Sequence, residues 1–193
     1  ATGVPPDPEI FAEAAELFAG AEVAGETCAE YERRVVLGTG LAASTVHRAT
    51  RDLVTEVAEL PETTRAELPG SDLGPHHRTR WVPAGRVFAA VMASNHPAPN
   101  STWVQALYHG YRVLVRPGAR DPFTARRLLN ALIQAGLPAD RAAFVPCSHA
   151  VAEFLLAQAD RGIVYGGDDA VRKWQGSGTV TTRGPGRTKA LLN

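Results

Sequence analysis

The sequence predicts an α/β fold, an open parallel sheet with helices on both faces, preceded by N-terminal helices. From Trp81 onward, short continuous apolar runs alternate with helical stretches, the pattern of right-handed crossovers around a sheet buried on both faces. Before that, residues 7–60 are rich in Ala, Glu, Leu and Arg, with apolar side chains at helical spacing. Between the two lies "PETTRAELPGSDLGPHHRTR", residues 61–80, whose three prolines and two glycines read as a connecting loop. The expected organisation is therefore a helical segment and linker over 1–80 and an α/β domain over 81–193.

In "STVHRATRDLVTEVAEL", Val46, Ala49, Leu53, Val57 and Leu60 recur every three or four positions. Ser44 and Thr45 are read as the N-cap of this helix and Pro61 as its stop. Arg86–Met92 is read as the first strand, Ser101–His109 as a helix closed by Gly110, and Tyr111–Val115 as the second strand. Asp121-Pro122 caps a helix running to Ala135, with Gly136 at its end and Pro138 beyond. Ala142–Cys147, Gly162–Tyr165 and Thr179–Thr182 are the remaining strands, separated by helices over Val151–Ala159 and Asp169–Trp174.

Composition narrows the function. Basic and acidic side chains balance at twenty each, so nothing suggests a nucleic-acid or acidic-membrane surface. No run approaches the length of a membrane span. Cys28 and Cys147 lie far apart without metal-ligand spacing, and a cytoplasmic protein is expected. The adjacent His76 and His77 lack a third ligand, so no metal site is expected.

In an open α/β sheet, ligands sit at the carboxyl ends of the strands. Those ends read Ala93-Ser94-Asn95-His96-Pro97, Arg116-Pro117-Gly118-Ala119, Pro146-Cys147-Ser148 and Gly166-Gly167-Asp168-Asp169. No G-x-G-x-x-G follows any of them, so the standard Rossmann fingerprint is absent.

The motifs around these ends resemble the cofactor-binding half of the aldehyde dehydrogenase superfamily, and most of all its acyl-thioester-reducing branch, the fatty-acyl reductases. "WVPAGRV" resembles the P-x-G-V entry to the first strand. "SNHP" matches the N-x-P element, "ALYHG" the A-L-x-x-G helix end, "VLVRP" the V-V-K-P strand end, and "FTARRLLNALIQAGLP" the helix finishing in A-G-L-P. "IVYGGDDAV" is similar to the G-G-D-E-A-I turn of the reductase branch. The likeness covers Trp81 to about Leu192, and its most specific feature is the twenty positions from Arg116 to Gly136.

The resemblance implies roles. Asn95 would donate its amide to the oxyanion formed when a thiol attacks an acyl or aldehyde carbon, work that suits a preorganised donor. Ser94, Arg116, Ala119, Gly166 and Gly167 would form the cofactor site. Arg116 stands where the family's Lys contacts the adenosine ribose, and the glycines let backbone approach the pyrophosphate. Ala119 replaces an acidic residue that often binds the ribose hydroxyls; with Arg116 and Arg120 beside it, that tilts the cofactor from NAD towards NADP. Asp168 and Asp169 are read as helix N-cap groups.

The resemblance implies that the nucleophilic Cys would belong to a second domain expected to be absent from this chain, and "RTKALLN", residues 187–193, where the family's general-base motif would begin, holds no Glu. The implied function is the cofactor-binding portion of an oxidoreductase that oxidises aldehydes or reduces acyl thioesters, with a slight lean to reduction. The chain would then be a fragment, a split polypeptide or a remnant, working as a homo-oligomer or with a complementing catalytic chain. The alternative is a non-catalytic nucleotide-binding or assembly module.

Overall fold

The computed structural model describes residues 3–68, 79 and 81–186. The His76-His77 pair and the "RTKALLN" segment lie outside the described residues.

Among the described residues, four helices precede the sheet. Asp7 caps α1 (Pro8–Gly20) by accepting the Glu9 N–H at 3.0 Å. A tight turn with positive φ at Ala24 and Gly25 follows, and Thr27 and Glu30 form a reciprocal capping box on α2 (Cys28–Thr39). Gly40, in the left-handed conformation, closes α2.

Two boundary expectations are corrected here. Helix α3 (Ala43–Ala58) has Ala42 as its N-cap, with Ser44 and Thr45 already inside the helix, and that cap makes no side-chain hydrogen bond. Pro61 does not begin a loop. It sits in the first turn of another helix, α4 (Leu60–Ala66), where a missing N–H costs nothing because that donor has no partner inside a helix.

The sheet follows, with β1 (Val87–Val91), β2 (Arg112–Arg116), β3 (Ala142–Phe144), β4 (Arg161–Tyr165) and β5 (Val180–Arg183) in the order β3-β2-β1-β4-β5, all parallel. The expected third strand is cut short at Phe144 because Pro146 has no N–H to donate to the ladder. Between the strands run α5 (Ser101–Tyr108), α6 (Phe123–Gln134), α7 (His149–Gln158) and α8 (Asp168–Trp174).

Helices α5 and α6 cover one face, and α1, α2 and α3 pack against them. Phe11, Phe18, Leu53, Trp103 and Leu128 thus share one core with Ala90, Val113 and Val115 of the sheet. On the other face a smaller core joins Ala152 and Leu156 of α7 to Ala89, Val91 and Val164, with Ala170 and Trp174 of α8 packed on it. Gly162 makes this second face possible, since a Cβ there would lie 2.8 Å from both Leu156 and the Ala89 carbonyl. The chain order reverses between β1 and β4, so their carboxyl ends splay into a crevice.

Candidate functional site

The carboxyl ends of β1, β2, β4 and β5 open onto a cleft of about 910 Å³ at that reversal. Ser94 and Asn95 line it after β1, Arg116 at the end of β2, Gly166 and Gly167 after β4, and Arg183 at the end of β5. Helices α7 and α8 wall one side with Glu153 and Lys173, whose Nζ–Oε2 distance is 2.6 Å.

The turn after β1 leaves its asparagine unengaged. His96 Nδ1 accepts the Ala98 N–H at 3.2 Å. Asn100, buried, donates its amide to the Pro97 carbonyl at 2.9 Å and accepts the Trp103 indole N–H at 3.0 Å. These side chains hold the turn and seat Trp103 in the core. Asn95 is exposed to the cleft and makes no hydrogen bond among the described residues.

The loops after β1 and β2 cross at Gly118, where a Cβ would lie 2.1 Å from the Ala93 carbonyl oxygen. That approach lets Ser94 Oγ accept the Ala119 N–H at 3.0 Å. Ala119 and Arg120 are exposed beyond this crossing and do not line the cleft. Arg116 is 9% exposed, and its Nε donates to the Cys147 carbonyl at 3.4 Å.

At the end of β4 the two glycines differ. A Cβ on Gly166 would lie 2.6 Å from that of Ala170, so packing of α8 requires glycine there. Gly167 has an ordinary φ of −74° and nothing within 4 Å of where its Cβ would be. Neither backbone nor packing demands glycine at 167; what a side chain would fill is open space at the cleft wall. Gly167, and neither aspartate, occupies the N-cap of α8, correcting the capping role expected of Asp168 and Asp169. Asp169 pairs with Arg172 on its own helix.

Neither cysteine lines the cleft. Cys28 lies in a separate groove beside Glu32 and His47, half-buried, where desolvation and then the Glu32 charge push its thiol pKa up, the reverse of an activated nucleophile. The sequence reading missed Glu153, Lys173 and Arg183. Arg183 was within reach of the same strand-end rule that found Arg116, whereas the helical residues could be placed only by knowing how α7 and α8 flank the crevice.

Residues 10–169 match the aldehyde dehydrogenase family. This chain belongs to that family. The aldehyde dehydrogenase match begins inside α1 and ends inside α8, so it takes in the N-terminal helices as well as the sheet through β4. Among solved structures the fold is similar to a NAD-dependent benzaldehyde dehydrogenase from Corynebacterium glutamicum, at 16% identity and a TM-score of 0.69, covering 92% of this chain and 40% of that one. It is also similar to an aldehyde dehydrogenase from Brucella melitensis biovar abortus 2308, at 17% identity and a TM-score of 0.73, over 93% of this chain and 38% of that one. A succinate-semialdehyde dehydrogenase from Burkholderia pseudomallei aligns at 17% identity and a TM-score of 0.68, over 86% and 35%. The chain thus spans about two fifths or less of the length of these structures. No curated protein matches it. Among the described residues, no helix is long and apolar enough to cross a membrane.

Proposed function

We propose that this chain is the cofactor-binding portion of an NAD(P)-dependent oxidoreductase of the aldehyde dehydrogenase type. Its N-terminal helical segment and linker would be residues 1–80 and its dinucleotide-binding α/β domain residues 81–193. The whole protein would oxidise an aldehyde or, as the G-G-D-D turn suggests, reduce an acyl thioester. The observation that carries the reading is Asn95: it lines the cleft with no hydrogen-bond partner among the described residues, while His96 and Asn100 hold the turn. An amide spared from structural work is free to donate to a developing oxyanion.

The volume and the charge of the cleft support a dinucleotide as its ligand. A volume of about 910 Å³ is ample for such a ligand, Gly167 leaves backbone approachable from the open side, and Arg116 sits in the wall. When bound, the nicotinamide supplies the hydride acceptor or donor. This chain's residues do the rest of the binding: Arg116 at the adenosine ribose, Ser94 bracing the loop crossing, Gly166 and Gly167 at the phosphates. Asn95 holds the substrate oxygen once a thiol has added to the carbonyl carbon. With neither cysteine in the cleft, that thiol would come from outside these residues, through further chain or a complementing partner. Loss of one oxyanion donor of this kind costs about 10²–10³ in kcat.

The test is a binding titration of NAD and NADP on the wild type, Arg116→Ala and Asn95→Ala. NADP is expected to bind more tightly than NAD, because among the described residues Arg116 lines the cleft without a carboxylate partner, and its terminal guanidinium nitrogens, unlike the Nε held by Cys147, are left to meet a 2′-phosphate. Arg116→Ala is expected to erase that preference, and Asn95→Ala to leave both affinities unchanged. A wild type that binds neither dinucleotide refutes the reading; NAD binding at least ~10-fold tighter than NADP refutes the cofactor preference.

A further inference from the structure

The charges around the cleft do not cancel, although those of the whole chain do. Its carboxylates are matched: Glu153 pairs with Lys173 at 2.6 Å, and Asp169 pairs with Arg172. Two guanidiniums are not. Among the described residues neither Arg116 nor Arg183 has a carboxylate partner, and Arg183 makes no side-chain hydrogen bond at all. They stand on opposite sides of the crevice, at the ends of β2 and β5.

The base of Arg183 is fixed. It pairs with Tyr165 in the β4–β5 ladder, and its carbonyl accepts the Gly166 N–H at 3.1 Å. Its side chain therefore starts one strand spacing, about 4.8 Å, from the Gly166-Gly167 turn, and it lines the same cleft. Open space at Gly167 and an unpaired cation one strand away make a place for a phosphate.

We propose that Arg183 is a phosphate-binding residue of this cleft, pairing with the diphosphate of the bound dinucleotide from the β5 side. The assignment rests on the dinucleotide reading above and adds a residue to it. It also separates the work of the two arginines: Arg116 reads the ribose end, and Arg183 serves the diphosphate common to NAD, NADP and ADP-ribose.

Isothermal titration of the full chain with these three ligands, on wild type, Arg183→Ala and Arg183→Lys, tests it. Arg183→Ala is expected to weaken all three by about tenfold, equivalent to about 1.4 kcal/mol, with Arg183→Lys recovering part of the loss. Because Arg183 is exposed, its variants should melt with the wild type, which a thermal scan checks. If Arg183→Ala binds all three as tightly as the wild type, or loses NADP much more than NAD, the assignment is overturned while the dinucleotide reading stands. A wild type that binds none of the three overturns both.

Discussion

Asp121, two residues before helix α6, is 2% exposed, its carboxylate accepting the Thr124 N–H at 3.0 Å and the Thr124 hydroxyl at 2.7 Å. Thr124 in turn meets the Tyr31 hydroxyl at 2.9 Å, so one carboxylate anchors α2 to α6. Burial raises its pKa, and the Thr124 bonds only partly offset that. The raised folded-state value means that the stability tied to this group is fully present below the ordinary carboxylate pKa of about 3.9 and is lost as pH climbs through the raised value. Asp160 is the opposite case: the Arg86 and Val87 N–H groups lower its pKa, so its contribution is present above about 3.9 and lost as pH falls through the lowered value. Asn at 121 can accept the same backbone N–H and donate to Thr124 Oγ without a buried charge. Asp121→Asn should therefore melt at or above the wild type at pH 7, and its advantage should shrink towards pH 4; melting several degrees below wild type at pH 7 would contradict this. The sequence identified Asp121 as a cap from its position before Pro122. The buried hydroxyl chain to Tyr31 was invisible, because those residues lie far apart in the chain.

Helix α1 is tied to α6 by a single buried cation. Arg127 is 1% exposed, with its guanidinium donating to the Phe18 carbonyl at 2.9 and 3.1 Å, to Ala21 at 2.8 Å, and to the Glu26 carbonyl. It also sits 5.5 Å from the Phe18 ring centroid and 5.8 Å from that of Tyr31. A cation belongs at a helix C-terminus, where unpaired carbonyls concentrate negative potential. Arg127→Met keeps the apolar stem but orphans these carbonyls, and should cost at least about 3 kcal/mol in urea unfolding. A loss below ~1 kcal/mol would show that water satisfies them instead. In the sequence, Arg126 and Arg127 are adjacent and look alike. Only helical phase separates the half-exposed one from the buried one, and that phase takes its meaning from what α6 packs against.

At the scale of the molecule, the two faces of the sheet are unequal. One carries α5 and α6 with three further helices behind them, while the cleft side rests on α7 and α8, where α7 buries only Ala152 and Leu156 and leaves Val151 and Phe154 exposed. Segments with few buried apolar contacts open at lower free energy, so amides of α7 should exchange with solvent markedly faster than those of α6. Equal protection in a hydrogen-exchange experiment would sink that expectation. The helices that wall the ligand cleft would thus be the ones freest to adjust around a ligand. From residue order alone came the alternation of strand and helix, the parallel sheet, the strand ends and the family resemblance, because periodicity, glycine and proline positions and short motifs are local properties of the chain. The tertiary structure alone decided that β4 lies beside β1, that His96 and Asn100 rather than Asn95 hold the turn after β1, and that Arg183 joins Arg116 in lining the crevice. Those are contacts between segments distant in sequence, and they exist only once burial of the two cores has chosen which strands become neighbours.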